Sequence, residues 1–418
     1  MGPLDGIRVI ELTTMVAGPA CGRALADWGA TVIKIEPPGG DSMRKLSLPA
    51  FAADNVGKLS VVLDLKTDDG LDALGKLLAT SDVFVSNFRT QALDRLRLGS
   101  AVLTERYPSL VIAMLTAYGS AGPDKDRPGY DLAAYWARSG LAMAMVPEGG
   151  MPQENAGPGV GDHTTGTALA GAVSAALLAR ERHPEKRGGT VSTSLLRMGT
   201  YVHSGDTNRH LHSLATGSPQ TPLPEQLGGE HSGQMISTNP LCGPYRALGG
   251  DVIVLLGMES QRHLPAIAAA LGFPEWASDD RFNTRMQRFK NRRELTQLIA
   301  DAILTKTLAE WELIFAEHDV WYDVSQRTAS AVDDPQLIAA GCFVPLPEHP
   351  DAKSQQEGTP RPTMVVASPF DFDGRQTELG GPLGSLGEHT ADVLASAGVS
   401  PQVVARAVAA AVENMPKM

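Results

Sequence analysis

The stretch IRVIELTTMVAGPACGRALADWGATVIKIE, residues 7–36, decides the fold class. Ile7–Leu12 is rich in β-branched residues and reads as a strand. Pro19 and the alanine-rich run to Trp28 follow as a helix with proline in its first turn. Gly29 closes that helix, and Ala30–Glu36 is a second strand. Two strands joined by one helix over so short a span form a βαβ unit, the building block of a parallel sheet.

The same alternation continues outward. Ser60–Leu65, Asp82–Asn87 and Leu110–Thr116 read as strands. Between them, Asp69–Ala79 places Leu71, Leu74, Leu77 and Leu78 on one helical face, and Gln91–Leu98 is also helical. This pattern predicts an α/β fold with a Rossmann-like, doubly wound, mostly parallel sheet. After the Gly/Pro-rich tract Tyr118–Gly129, Tyr130–Met145 is predicted helical and Pro147–Gly161 a loop. His163–Arg182 is a long Ala/Gly/Leu-rich helix with almost no polar face until its end, so burial is expected. Arg180, Glu181 and Arg182 should then face water. Thr190–Ser194 is a further strand. The first part of a large domain therefore spans residues 1–204, and a linker with a glycine-rich loop spans 205–232. A smaller α/β domain, with a strand over Gly250–Gly257, covers 233–323. Residues 324–418 form a return linker and a last segment, whose helix Leu386–Gly398 is placed to pack back on the first domain.

Composition narrows the function. The 418 residues are 43% hydrophobic and 20% charged, unlike a disordered or membrane-embedded chain. Aromatics are only 5%, against 43 glycines and 29 prolines, which suits an α/β enzyme better than an aromatic-rich binding module. A net charge of −11 argues against general binding to nucleic acid or an anionic membrane. Residues 1–110 are nearly neutral, with 12 Lys/Arg and 13 Asp/Glu. An anionic ligand is therefore sought there, unless the asymmetry is only surface variation. Cys21, Cys242 and Cys342 lie too far apart for a zinc knuckle or a disulfide framework. The start carries neither an apolar signal core nor a myristoylation pattern, and no apolar run reaches membrane-spanning length. The expectation is a soluble cytoplasmic protein.

No clustered His/Cys pattern offers a metal site, and the nucleophile-elbow and phosphate-loop motifs are absent. The first βα turn, Thr13–Ala20, lacks G-x-G-x-x-G, although Glu36 ends the second strand where a ribose-binding acid would sit. A nicotinamide oxidoreductase is thus a minor alternative. Arg95, on the helix after Asn87-Phe88-Arg89, is either a phosphate ligand or a solvated surface cation, and the same choice holds for Lys66. Gly228–Gly233 is either a closing lid or a flexible linker.

Asp162 is the carboxylate that draws most interest. It stands between the approach Gly157-Pro-Gly-Val-Gly161 and a buried helix. One reading is an N-cap that accepts the helix's free amides. The other is a nucleophile kept ionised by those amides and the helix dipole, attacking an activated acyl carbon through a glycine-lined opening. His163 beside it would point in another direction and forms no obvious dyad with it.

Taken together, Gly6–Leu12, Ala17–Ala20, Leu25–Ala30, Val32–Glu36 and Gly39–Asp41 resemble the start of the family III CoA-transferases. That group includes formyl-CoA, carnitine and bile-acid CoA-transferases and α-methylacyl-CoA racemases. The resemblance continues through Lys58–Lys66, Asp82–Arg89, Gly129–Asp131, Gly159–Asp162, Asn239–Leu241 with Tyr245–Arg246, and Leu386–Thr390. It implies an interlaced homodimer, with a large domain built from N- and C-terminal parts and a smaller domain between long linkers. It implies Asp162 as catalytic nucleophile, passing through a mixed anhydride and an aspartyl-CoA thioester, with acyl-CoA and a carboxylic acid as substrates. No permanently bound cofactor and no metal is implied.

The CoA contacts carried over are Val16, Ala17, Leu63, Lys66, Asn87, Phe88, Arg89, Arg95, Tyr130 and Asp131, with Gly228, Gly229 and Gly233 in the shielding loop. Val16 replaces a glutamine and Pro37 a CoA-contacting arginine of formyl-CoA transferase, which disfavours a small oxalate-type acceptor. After Gly189, the usual V-D-V-S-L-L becomes Thr190-Val-Ser-Thr-Ser-Leu-Leu196. Tyr130 stands where the racemases carry a proton-transferring histidine, and a phenol with a pKa near 10 is a poor base at neutral pH. Tyr135–Gly140 resembles transferases of aryl or branched 2-hydroxy acids, implying a medium or large hydrophobic acid. The alternatives are an acyl-CoA racemase and a non-catalytic CoA-binding protein.

Overall fold

Six strands pair parallel throughout, in the order β3-β2-β1-β4-β5-β6. They are β1 (Arg8–Leu12), β2 (Thr31–Glu36), β3 (Leu59–Val62), β4 (Val83–Ser86), β5 (Val111–Thr116) and β6 (Thr190–Ser194). This is the doubly wound order, and its direction reverses between β1 and β4. The computed structural model describes residues 2–146, 151, 159–218, 230–231, 234–235, 239–348 and 363–413. Helix α1 (Ala17–Asp27) fills the first crossover, as the opening stretch predicts.

Residues alternating along these strands fill one core. Ile10, Ile33, Val61, Phe84 and Ile112 are all essentially inaccessible. They pack with Leu74, Leu77 and Leu78 of the Asp68–Leu78 helix and with Val393 and Leu394 near the C-terminus. The segment Leu386-Gly-Glu-His-Thr390 covers the outer edge of β3. The Ser60 amide donates to His389 Nδ1 at 3.2 Å, and the Val62 amide donates to Thr390 Oγ1 at 3.0 Å. With the His389 amide donating to the Ser60 carbonyl at 3.0 Å, an open strand edge is closed by this segment's side chains and backbone rather than by another strand.

Two compact units emerge. One comprises Met1–Leu141, Asn155–His203 and Gln336–Met418; the other comprises Ala142–Glu154 and Ser204–Pro335. The second has its own antiparallel sheet, ordered Tyr322–Val324, Val252–Leu256 and Cys242–Arg246. Its core gathers Phe282, Leu295, Ile299, Trp311 and Phe315.

Four local expectations need correction. Residues expected to begin a linker form the helix Ser204–Thr216, because a polar composition does not prevent a helix where neither proline nor repeated glycine interrupts it. The expected Tyr130–Met145 helix is divided into a wide-turned π segment, Leu132–Ala137, and a short helix, Leu141–Ala144. Gly140, at φ +92, lies between them. The long helix runs Val160–Arg182 and buries only one face, through Thr165, Gly166, Leu169, Ala170, Val173 and Leu177. Arg180 does not face water: it is buried and bonds Asp82 Oδ1 at 3.0 Å.

Candidate active site

Ligands of doubly wound sheets collect beyond the carboxyl ends of the strands, at the point where strand order reverses. Here that place lies past Leu12 of β1 and Ser86 of β4, which are paired in register. The turn after β1 is pinned by the residue after β4. Asn87 Nδ2 donates to the Thr14 carbonyl at 2.7 Å, and the Thr14 amide donates to Asn87 Oδ1 at 3.0 Å. Met15, at φ +66, reverses the chain, and Val16 then leads into α1, whose first residue Ala17 is buried. Asn87 therefore shapes the turn through both ends of its amide. Leu63 is also buried, so its side chain belongs to the core. Phe88 packs against the same core, whereas Lys66, Arg89 and Arg95 are exposed. These three cations have no ion-pair partner among the described residues.

The long helix starts against this turn. Gly166 makes the approach possible, because a Cβ there would lie 2.4 Å from the Ala17 carbonyl oxygen and 2.8 Å from Ala20 Cβ. One turn earlier, a Cβ on Gly161 would lie 2.3 Å from Asp131 Oδ1 and 2.3 Å from the Tyr135 ring. Gly159, in a left-handed conformation at φ +88, is the N-cap residue. Val16 Cγ1 lies 3.4 Å from where its Cβ would be, so the first turn and the helix start are neighbours.

Asp162 is not the N-cap; it is the third residue of the helix. The capping acceptor comes from elsewhere: Asp131 Oδ2 accepts the Gly161 amide at 3.2 Å. Asp131 is 7% exposed. Burial raises its pKa, while the amides of Gly161, Gly159 and Asp162 oppose the rise. Asp162, half-buried, has no hydrogen-bond or ion-pair partner for its carboxylate among the described residues. Burial, reinforced by the nearby Asp131 charge, raises its pKa to about 7 despite the opposing His163 charge. At neutral pH such a carboxylate is divided between its neutral and ionised forms, and its oxygens have no partner among the described residues.

His163 turns away from Asp162, as expected, but finds a partner the sequence did not show. Its Nε2 lies 3.0 Å from Asp54 Oδ1, and its Nδ1 lies 2.7 Å from the Gly159 carbonyl oxygen. Asp54 is on the helix Leu48–Asn55 and is 3% exposed.

Beneath the turn lies a buried ionic cluster, also invisible in the linear order. Lys34 Nζ meets Glu11 at 3.1 Å and Asp41 at 3.0 Å, and Lys58 Nζ meets Glu11 at 2.6 Å. Asp41 Oδ1 in turn accepts the Thr14 hydroxyl at 3.0 Å, tying the cluster to the first turn. Glu36, considered above for a ribose, belongs here too: its carboxylate is buried and bonds Arg44 Nε at 2.7 Å. Burial raises Glu36, but the hydrogen bonds and charge of Arg44 prevail and hold it at about 2.

Tyr130 is 69% exposed, next to buried Asp131. Gly228, Gly229 and Gly233 lie outside the described residues. Among the described residues no group of His, Cys, Asp and Glu is arranged to hold a metal ion. Nor is any helix long and apolar enough to cross a membrane.

The chain matches the model of "CoA-transferase family III" over residues 4–390. It is 29% identical to (R)-2-hydroxy-4-methylpentanoate CoA-transferase of Clostridioides difficile, over 96% of this chain and 97% of that protein. Cinnamoyl-CoA:phenyllactate CoA-transferase of Clostridium sporogenes is 31% identical, over 80% of this chain and 81% of its own. Among solved structures, Rv3272 from Mycobacterium tuberculosis superposes with a TM-score of 0.78 at 29% identity, covering 94% of this chain and 99% of that one. The chain is therefore an enzyme of CoA-transferase family III.

Proposed function

We propose that the protein moves coenzyme A from an acyl-CoA donor to a carboxylic acid acceptor, with Asp162 as the covalent nucleophile. The observation that carries this reading is the Asp162 carboxylate, unbonded among the described residues, in the first turn of a helix whose amides are already capped by Asp131. Its ionised oxygen attacks the thioester carbonyl carbon, the carbon–sulfur bond breaks, and CoA leaves as thiolate. The thiolate then attacks the aspartyl carbonyl of the resulting anhydride and releases the donor acid. An aspartyl-CoA thioester remains. The acceptor carboxylate attacks this thioester and expels thiolate. The thiolate finally takes the acceptor acyl group from the second anhydride and frees Asp162. Carboxylate and thiol chemistry alone balance each step.

The turn carrying Val16 and Ala17 sits beside the helix start and would hold the pantetheine end, with Tyr130 and Asp131 flanking the thioester. Lys66, Asn87, Arg89 and Arg95 would line the route for the rest of CoA, with Leu63 and Phe88 backing it from the core and the three exposed cations facing its phosphates. The acceptor is a medium or large hydrophobic acid. Apolar Val16 and exposed Tyr130 and Leu132 support that class, as do relatives named for 4-methylpentanoate and phenyllactate chemistry. The enzyme acts as a cytoplasmic homodimer. Three free cysteines support the compartment, and exposed Val160, Leu178 and Tyr201 on neighbouring helices support the dimer.

The test is to incubate the enzyme with cinnamoyl-CoA and other hydrophobic acyl-CoA donors, trap with hydroxylamine or borohydride, and map the modified peptide. Modification at Asp162, and loss of exchange in Asp162→Ala, are expected. Intact exchange in that variant would remove the assignment.

A further inference from the structure

Two negative side chains crowd the start of the long helix. Asp131 caps it and Asp162 follows, and both are raised chiefly by burial. Among the described residues, one positive group stands beside them. The His163 ring places one nitrogen against the Gly159 carbonyl oxygen at 2.7 Å and the other against the Asp54 carboxylate at 3.0 Å. A carbonyl oxygen only accepts, so Nδ1 carries a proton. The buried carboxylate likewise calls for a proton on Nε2, and a ring with both protons is a cation.

We propose that Asp54 and the Gly159 carbonyl lock His163 as an imidazolium, and that this fixed cation favours the ionised form of Asp162 against its two acidic neighbours. His163 is on this account a positioning residue: it acts on the reaction through Asp162. The inference rests on Asp162 being the nucleophile.

The charged groups around the pair are few. From the helix Leu48–Asn55 comes Asp54, whose own charge is sensed by the buried Lys58. From the segment before the π turn comes Asp131, and from the long helix come Asp162 and His163 themselves. Asp131 and Asp54 both push Asp162 towards its neutral form, whereas His163 alone draws it back. The hydrogen bond to Asp54 is the main reason that His163 stays charged, to about pH 9. The imidazolium is half-exposed, but both of its protons are bonded, so its place is fixed from below. Sequence adjacency conceals this arrangement. Residues 162 and 163 diverge on the helix, and the link between them is through charge rather than through a hydrogen bond.

The inference is tested on the full-length protein without any substrate. Aspartate side chains are labelled with 13C at the carboxyl carbon and histidine at Cε1. The Asp162 and His163 signals are assigned by their loss in Asp162→Asn and His163→Gln. In the wild type His163 should remain protonated beyond pH 8, and in Asp54→Asn its midpoint should fall to the ordinary range near ~6.5. In His163→Gln the Asp162 midpoint should rise by about one pH unit, a roughly tenfold loss of the ionised form below it. An Asp162 midpoint that does not move in His163→Gln overturns the proposal, and so does a wild-type His163 that titrates like a free imidazole. A second measurement separates the two readings. CoA attachment to Asp162 after incubation with cinnamoyl-CoA should follow the same midpoint in each variant. Attachment in the wild type with an unmoved midpoint sinks only the role of His163. A midpoint that moves as expected, while exchange proceeds with no CoA ever found on Asp162, sinks the nucleophile instead.

Discussion

Asp131 accepts the amide of Gly161 at 3.2 Å, from 30 residues earlier in the chain. A helix usually takes its capping oxygen from the residue at its own start. Here the cap is borrowed, so the carboxylate belonging to the helix's first turn is left unbonded among the described residues.

The borrowed cap sets the charge state of the site. Asp131→Asn keeps an acceptor for the Gly161 amide and removes the like charge that helps raise Asp162. The ionisation midpoint of Asp162 should therefore fall below about 7, and CoA exchange should persist to lower pH. Asp131→Ala removes the acceptor as well and should lower stability by about 1 kcal/mol. Exchange rates from pH 5 to 8 and denaturant midpoints distinguish the two variants.

Holding Asp162 in place costs stability. Its pKa rises from 3.8 to about 7 on folding, so the folded state keeps a proton that the unfolded chain has lost. The stability contributed by that proton is full below pH 4 and disappears as pH climbs to 7. Asp162→Asn should be more stable than the wild type at pH 8, by on the order of 1–2 kcal/mol given partial solvation, and no more stable at pH 4. Urea unfolding at the two pH values reads the difference.

Asn87 holds the first turn by two hydrogen bonds to Thr14. Asn87→Ala should weaken folding by about 1–2 kcal/mol and loosen the Met15–Ala17 turn. The larger effect should appear as a raised KM for the CoA substrate, with kcat changed less, because Asp162, the proposed nucleophile, is carried on another element. Steady-state kinetics against the donor concentration reads that division.

The buried cluster below the turn tolerates no loss of one partner. Lys34→Met leaves Glu11 and Asp41 without one of their cations and should destabilise by about 3–5 kcal/mol. Soluble protein with unchanged thermal unfolding would contradict the account of the cluster. Acid should act through Glu36 in the opposite sense to Asp162. Its pKa of about 2 stabilises the fold above pH 4.5, and that contribution is lost as pH falls towards 2.

Much of the fold was legible from periodicity. All six parallel strands and the first crossover follow from short β-prone runs punctuated by Gly29 and its like, because local propensity and burial agree there. The helix over the polar segment Ser204–Thr216 is not legible in composition, which lacks an apolar face to mark it. The divided helix after Tyr130 was missed because Gly140 takes φ +92, which a glycine permits but does not demand. At the site, Asp162 stood out through its glycines. Its hydrogen-bonding role did not, because the cap comes from Asp131.

Residue types and their order along the chain determined the doubly wound sheet and the family, and singled out one aspartate among the 47 acidic residues. Only the tertiary structure decided that Asp131 caps a distant helix, that Asn87 serves the turn at Thr14, and that Asp54 holds His163. Periodicity is written by neighbours three or four residues apart. A hydrogen bond between residues 30, 73 or 109 positions apart depends on where two elements meet, and that is settled by packing the whole core.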